Sequence, residues 1–354
     1  MATNYAVPTG EFIAEWLEEN EMRPAELARR AGVSRKHISE LIHGKATLSF
    51  DVAESLEIVT RVPARIWMNY ESQYRADVAR LQRDEAIGAR FGDIGKFPLD
   101  YLRRIGAVTA DWDDRGGVGR QVLSFFGVSD IDTLLAQPQR VLASFRQSAA
   151  YEVDSFSVAT WIQAGCHEAK SRNLPKYDPD ALRAMLPELR ALTVKSVDVF
   201  SREMVELPAK AGVVVVLDAG PMGTRCSGVT HWVQKRPVVQ LTDRGKKNDA
   251  LWFTYFHELG HVLLHPQNET FIESGASPGT VNAREDEADR FARDLLIPPA
   301  DWEHRPRGKN LAAVERYARQ LGIHPGVVIG RLHRETGDYK WGHGLKQTLH
   351  IVDD

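Results

Sequence analysis

The sequence predicts an α+β protein with an all-helical N-terminal domain, a mainly helical middle region and a C-terminal domain that contains a small sheet. Three observations support this fold class. Apolar residues recur at helical spacing along most of the chain, Gly and Pro divide the first 74 residues into short helical segments, and residues 213–217 form a β-branched run. We place the three parts at residues 1–74, 75–205 and 206–354.

The composition is that of an ordinary globular protein, with 354 residues, 43% hydrophobic residues and 26% charged residues. A net charge of −3 excludes a general attraction to nucleic acid or acidic lipid, so any DNA-binding surface must be local. Cys166 and Cys226 are too few for a disulfide framework. Since the sequence shows neither a secretory signal pattern nor an apolar run that could span a bilayer, we expect a cytoplasmic protein with no membrane partner.

The N-terminal domain is expected to contain helices near residues 11–19, 24–31, 35–43 and 50–59. Gly32 is suited to ending the second helix, Ser34 to capping the third, and Gly44 to ending it. Trp67 is expected to close the small core. A helix, a turn that contains glycine and a second helix together have the form of a helix-turn-helix domain.

Basic residues concentrate in this motif, because residues 23–45 contain six basic and two acidic residues. Such a domain usually reads bases from the start of its second helix, where the candidates are Arg35, Lys36 and Ser39. The residues expected to contact phosphates are Arg29, Arg30 and Lys45. The alternative is a small helical bundle that binds proteins, and the sequence leaves both interpretations open.

The middle region shows helical spacing in short segments, beginning with a charged helix at residues 75–90. The segments that follow are 118–126, 131–135, 141–147, 157–170 and 179–192. Beyond residue 211 the pattern changes, and residues 213–217 and 238–241 are predicted to be strands. The last predicted helices are 249–265, 282–296, 311–321 and 325–335.

The predicted helix at residues 249–265 contains His257-Glu258-Leu259-Gly260-His261. Residues four apart differ by about 40° around a helix, so both imidazoles face one way and can bind one zinc ion. Glu258 projects about 100° away, where it can act as a general base without binding the metal. Gly260 leaves room for another segment of backbone to approach closely. The alternative is a core helix that contains two histidines by chance.

A catalytic zinc site needs a third protein ligand, and the helix at residues 282–296 offers Glu285 on an apolar stripe. Asp289, one turn later, is predicted to accept a hydrogen bond from a ligand histidine. Glu287 falls on the opposite, charged side of the wheel and is predicted to be solvated. His265 is interpreted as a helix-end histidine that meets the helix dipole.

Two further expectations concern the substrate. His231, near the predicted strands, is a candidate for polarising a scissile carbonyl. If residues 238–242 form an edge strand, an extended peptide can add to it by main-chain hydrogen bonds. The alternative is a strand that is paired on both sides.

Two stretches resemble known families. The sequence ELARRAGVSRKHISE at residues 26–40, with residues 43–45 and Trp67, resembles a Cro/C1-type (Xre) domain of the HigA antitoxin kind. The sequence WFTYFHELGHVLLH at residues 252–265, followed by residues 285–298 and 325–332, resembles the ImmA/IrrE metallopeptidase family. This second resemblance implies a gluzincin-like core in which His257, His261 and Glu285 bind zinc and Glu258 is the base. It also implies an association with the cleavage of Xre-type repressors.

Three functions are compatible with these features. The first is a DNA-bound zinc endopeptidase that cleaves a transcriptional repressor, another partner or the chain itself. The second is an Xre-family transcriptional regulator or antitoxin whose zinc domain only senses a signal or binds a partner. In the third, the N-terminal domain docks onto a substrate repressor and does not touch DNA. The expected partners are double-stranded DNA with an operator and a protein substrate, and a homodimer is compatible with them.

Overall fold

The computed structural model describes residues 5–144, 154–242, 247–265, 271–274 and 283–349, with side chains for all of these except residues 142–144 and 271–274. The chain forms two compact units. The first contains the described residues up to Gly92 together with Thr109–Gln121, and the second contains Asp93–Val108 and the described residues from Val122 onward. No helix in the described ranges is both long enough and apolar enough to cross a membrane.

Helices make up most of the described chain. The earlier ones are α1 (Thr9–Glu19), α2 (Pro24–Arg30), α3 (Arg35–Ile42), α4 (Phe50–Thr60), α5 (Ala64–Ala89), α6 (Phe91–Ile94), α7 (Leu99–Arg104) and α8 (Arg115–Phe126). The later ones are α9 (Ile131–Ser144), α10 (Ser155–Ser171), α11 (Pro179–Ala191), α12 (Val197–Lys210), α13 (Asn248–Leu264), α14 (Ala283–Leu296), α15 (Pro299–Glu303), α16 (Leu311–Leu321) and α17 (Pro325–Thr336).

Most predicted helices coincide with these to within a few residues, with three differences. The segment predicted at 75–90 is the second part of the longer helix α5, and the segment at 131–135 continues into α9. No prediction covered α6, α7, α12 or α15. Residues 145–147 of one predicted segment and Asn282, the predicted start of α14, lie outside the described residues.

In the first unit, α2 and α3 form the predicted helix-turn-helix. Gly32 between them has a φ of 68°, which favours glycine, and the Ser34 hydroxyl accepts a hydrogen bond from the His37 backbone N–H at 3.0 Å. Apolar side chains of helices α1 to α5 form its core: Ile13, Leu17, Leu27, Ile38, Leu41, Leu56 and Trp67. The predicted all-helical N-terminal domain is therefore confirmed.

One sheet of four strands lies in the second unit. The strands are β1 (Val214–Leu217), β2 (Cys226–Val233), β3 (Arg236–Leu241) and β4 (Phe271–Ser274), in the order β1-β3-β2-β4. β3 is parallel to β1 and antiparallel to β2, which is also antiparallel to β4. The strand at residues 238–241 is therefore not an edge strand, because its backbone is paired on both sides, and the proposed peptide addition there is wrong.

The two faces of this sheet contact different helices, because successive side chains of a strand point to opposite sides. Val239 and Leu241 belong to the core that surrounds α13. Val238 packs instead with Val214 and with Ala169 of α10. Consecutive side chains of β2 or β3 therefore lie alternately on the face that packs against α13 and on the face that packs against α10.

Helix α13 is enclosed by the sheet and by other helices, and 13 of its 17 residues are buried. Its sequence is apolar on nearly all sides, as a buried helix requires. Gly260 allows the backbones of α13 and α14 to approach each other closely, since a Cβ atom there would lie 3.3 Å from the Ala288 Cα of α14. This helix pair positions the residues of the candidate metal site.

Candidate metal centre

Three predicted ligands converge between α13 and α14. The nearest nitrogen and oxygen atoms of His257, His261 and Glu285 all lie within 4.8 Å of one another. The Nε2 atoms of the two imidazoles are 2.9 Å apart, and the Glu285 carboxylate lies 3.2 Å from His257 Nε2 and 3.6 Å from His261 Nε2. Both histidines are 1% exposed, whereas the Glu285 side chain is 25% exposed. The cluster therefore opens toward solvent on its carboxylate side.

Asp289 fixes the tautomer of His257. Its Oδ1 atom lies 2.9 Å from His257 Nδ1, where it accepts the hydrogen, because a carboxylate only accepts. We therefore assign the hydrogen of His257 to Nδ1. The Nε2 lone pair is then left to face the cluster, as a ligand nitrogen requires.

Two further hydrogen bonds, through His265, fix the tautomer of His261. Glu287 Oε2 lies 3.2 Å from His265 Nε2, and His265 Nδ1 lies 2.9 Å from His261 Nδ1. If Glu287 accepts from His265 Nε2, then His265 Nδ1 must accept from His261 Nδ1. Burial lowers the pKa of His265, which favours this neutral ring. His261 Nε2 is thereby left with a lone pair.

This arrangement corrects two predictions. Glu287 is not simply solvated, since its half-exposed carboxylate contacts His265. His265 does not serve only the helix dipole, because α13 ends at Leu264 and His265 itself is extended, with φ −112° and ψ 157°. A helical wheel no longer describes a residue that has left the helix, and the ring of His265 points toward α14 instead.

The donor set fits a divalent cation. Two lone pairs and a carboxylate that face one point repel each other unless a positive charge lies among them. A proton is one candidate for that charge. Burial, however, lowers the pKa of His261 to about 4, so a protonated ring is not favoured near neutral pH. Two imidazoles and one carboxylate are a donor set that zinc accepts.

Glu258 lies beside this cluster and is fully buried. The Thr230 hydroxyl of β2 lies 2.6 Å from Glu258 Oε2, to which it donates a hydrogen bond. Gly228, two residues earlier on the same face of β2, leaves space for the carboxylate, since a Cβ atom there would lie 2.5 Å from Glu258 Oε1. Sequence reasoning missed both residues, although the β-branched run around Thr230 could have revealed the strand.

His231 belongs to another environment. It is 3% exposed, and its Nε2 atom lies 2.9 Å from Gln240 Oε1, whose amide in turn donates to the Trp161 carbonyl of α10. Because Thr230 faces α13, the next side chain of the strand points to the opposite face of the sheet. The prediction that His231 polarises a scissile carbonyl is therefore wrong.

The predicted DNA-contacting residues all lie on the exposed surface of the helix-turn-helix: Arg29, Arg30, Arg35, Lys36, Ser39 and Lys45. Arg29 and Arg30 both contact the Glu26 carboxylate at 2.7 Å, and Lys36 lies 3.7 Å from Glu40. Hydrogen bonds from Arg29 and Arg30 lower the pKa of Glu26 to about 2. The structure thus brings Arg29 and Arg30 together around one carboxylate, whereas Lys36 of α3 pairs with Glu40 of its own helix.

Comparison with known families identifies both domains. The peptidase M78 family model, described as the IrrE N-terminal-like domain, matches residues 209–333, which include the sheet, α13 and α14. A helix-turn-helix family model matches residues 13–67. No curated protein matches the chain. The chain therefore joins a helix-turn-helix domain of the Xre-like kind to a domain of the IrrE N-terminal-like peptidase family.

Proposed function

We propose that this protein is a zinc-dependent endopeptidase whose helix-turn-helix domain binds double-stranded DNA and whose substrate is a transcriptional repressor or another partner protein. The convergence of two imidazole lone pairs and one carboxylate beside a buried glutamate is the observation that carries this proposal. The matches to a peptidase family and to a DNA-binding family support it.

In this proposal His257, His261 and Glu285 hold the zinc ion and Glu258 moves the proton. Zinc in such a site supplies Lewis acidity toward a peptide carbonyl and makes water acidic enough to react near neutral pH. Thr230 holds Glu258 Oε2 in place. Glu258 Oε1 then takes the proton of the attacking water and returns it to the leaving amine, as a general base and acid.

The helix-turn-helix domain supplies the second half of the proposal. Arg35, Lys36 and Ser39 stand at the exposed start of α3, where such domains contact base edges. Arg29, Arg30 and Lys45 flank them and are placed to contact phosphates. Binding to an operator would keep the peptidase close to the repressor that occupies the same promoter.

A second candidate function is a regulator whose zinc site senses a signal or binds a partner without turnover. The complete burial of Glu258 favours this alternative, because a reacting peptide must reach that carboxylate. Repression that survives Glu258→Gln but is lost in His257→Ala would support the sensor.

The test of the first proposal compares Glu258→Gln with Glu315→Gln, an exposed glutamate of α16. We expect Glu258→Gln to abolish the cleavage of cellular proteins, seen as fragments that are missing in a proteomic comparison, because the amide cannot take a proton. Zinc content by metal analysis and DNA binding of Glu258→Gln should equal those of the parent protein. Glu315→Gln should match the parent in cleavage, zinc content and DNA binding. Cleavage that persists in Glu258→Gln would refute the proposed mechanism.

A further inference from the structure

A cavity of about 610 Å³ lies against the metal centre. Three of its lining residues also border that centre. The Phe253 ring lies 6.3 Å from the His257 ring, Asp289 binds His257 Nδ1, and Thr254 lies next to the position of the Glu258 carboxylate beside Gly228. The cavity is therefore continuous with the surroundings of the site.

The walls of this cavity favour an uncharged group with an apolar body. Leu296, Ile297 and Val327 join Phe253 in an apolar lining. Each charged residue of the lining has an opposite charge beside it: Lys346 with Asp249 at 2.7 Å, Arg331 with Glu335 at 3.2 Å, Arg334 with Asp289 at 4.0 Å, and Arg293 with Asp294 at 2.8 Å. A charged ligand would therefore find every charged residue of the described lining already paired.

Two hydrogen-bond acceptors in the lining have no donor within the part of the chain that the structure describes. His333 is 1% exposed, and its Nε2 atom lies 2.5 Å from the Trp341 carbonyl, which only accepts, so we assign the hydrogen to Nε2. Its Nδ1 atom has no partner among the described residues, and neither does Asp249 Oδ1. Buried acceptors normally have donors. The two unpaired atoms therefore indicate a ligand that supplies an N–H or O–H group.

We infer that the cavity binds an aromatic side chain that carries a hydrogen-bond donor, an indole or a phenol, from the protein substrate. The ring would pack against the apolar walls, and its donor would meet Asp249 Oδ1 or His333 Nδ1. A large ring fills a cavity of this size better than a small polar side chain does. The assignment as a substrate pocket rests on the proposed peptidase function, whereas the binding of the aromatic group does not.

Two neighbours hold the Asp249 carboxylate in place, and this makes the effect of an Asp249 substitution predictable. Lys346 binds its Oδ2 atom, and Gly330 of α17 leaves room for the carboxylate, because a Cβ atom there would lie 2.6 Å from Oδ2. In Asp249→Asn, the ammonium of Lys346 selects the amide oxygen, since it can only donate. The amide NH₂ then turns toward the cavity, where an acceptor stood before.

The binding test uses full-length Glu258→Gln protein and two probes of nearly equal shape, indole and indene, of which only indole has an N–H. We expect calorimetry to show that indole binds about 10-fold more tightly than indene, the effect of one buried hydrogen bond. Adding Asp249→Asn should remove this preference. Asp180→Asn, a 91% exposed acid in the first turn of α11, should keep it.

A second variant covers the case in which Asp249→Asn disturbs folding, which thermal unfolding would reveal. Ala250 is an exposed residue of the lining, so Ala250→Trp should fill the cavity and abolish the binding of both probes. Equal affinities of the parent for indole and indene, or binding that neither variant changes, would overturn the inference.

The substrate arm uses a degenerate peptide library and the active protein. We expect Trp and Tyr to exceed Phe by about 10-fold at one position near the cleaved bond, by the same hydrogen-bond argument. Cleavage without this preference would mean that the cavity binds a free aromatic compound and would overturn its role as a substrate pocket. A complete lack of cleavage would count against the proposed function and leave the indole result standing.

Discussion

Helices α13 and α3 carry candidate metal-binding and candidate DNA-contacting residues, and these two groups of residues differ in exposure. His257 and His261 on α13 are 1% exposed, whereas the side chain of Lys36 on α3 is 84% exposed. A metal ligand must be held in one tautomer, which burial and fixed hydrogen bonds achieve. A basic residue that contacts DNA must remain in solvent, where its charge acts before contact.

The polar partners of the two helices differ in the same way. Around α13, carboxylates accept from the histidines at fixed nitrogen atoms, so that each acid determines one tautomer. On α2 and α3, by contrast, the ion pairs join long side chains at the surface, and such pairs exchange readily and stabilise little. Four predictions use this contrast.

The largest expected effect is a loss of zinc affinity when the acids that accept hydrogen bonds from the histidines are replaced. Asp289→Asn should lower zinc affinity about 10–100-fold, because its amide can donate to His257 Nδ1 and move the hydrogen to Nε2. Glu287→Gln should act in the same direction through His265. A competition titration against a zinc chelator measures both, and Asp286→Asn, an exposed acid of the same turn, is the control. Equal affinities in all three variants would contradict the tautomer assignments.

The second prediction tests burial alone, at His231 on the opposite face of the sheet. Burial lowers the pKa of His231 from 6.5 to about 4, so the folded protein binds this proton less readily than the unfolded chain. The stabilising contribution is present above pH 6.5 and is lost as the pH falls toward 4. Between pH 7 and pH 5, the free energy of unfolding should fall by about 2 kcal/mol less in His231→Gln than in the parent. Urea unfolding measures this, and identical pH dependence in both proteins would argue against the shift.

The third prediction concerns the exposed helix. Arg35→Ala should weaken operator binding by about 10-fold, as the loss of one good base contact does, and relax specificity at one position. Because Arg35 is exposed, the free energy of unfolding should change by less than about 0.5 kcal/mol. Fluorescence anisotropy over a range of salt concentrations measures the binding. If affinity does not change and does not depend on salt, the domain binds a protein and not DNA.

The smallest expected effect comes from the ion pairs on α2. Glu26→Gln should raise DNA affinity by roughly threefold, because Arg29 and Arg30 no longer share a carboxylate and can both meet phosphates. The pKa of Glu26 is about 2, so the same gain is expected at pH 5 and at pH 7. A loss of affinity in this variant would mean that Glu26 positions the two arginines for DNA.

Local sequence patterns predicted much of this molecule. The caps at Ser34 and Gly32 and the apolar spacing of α13 depend on neighbours within a few residues, and they lie where the sequence placed them. The stripe on α14 put Glu285 and Asp289 on the side that faces α13. β2 was missed although it pairs with β3, which follows after two residues; its other partner, β4, is distant in sequence.

The sequence by itself determined which residues could serve as ligands and base, because helical periodicity fixes the relative directions of residues up to about four positions apart. Only the tertiary structure decided that Thr230 holds Glu258, that Glu287 contacts His265, and that His231 lies on the other face. Those relations depend on how strands pair and how helices cross. Such long-range contacts follow from the packing of the whole core and leave no periodic signal in the chain.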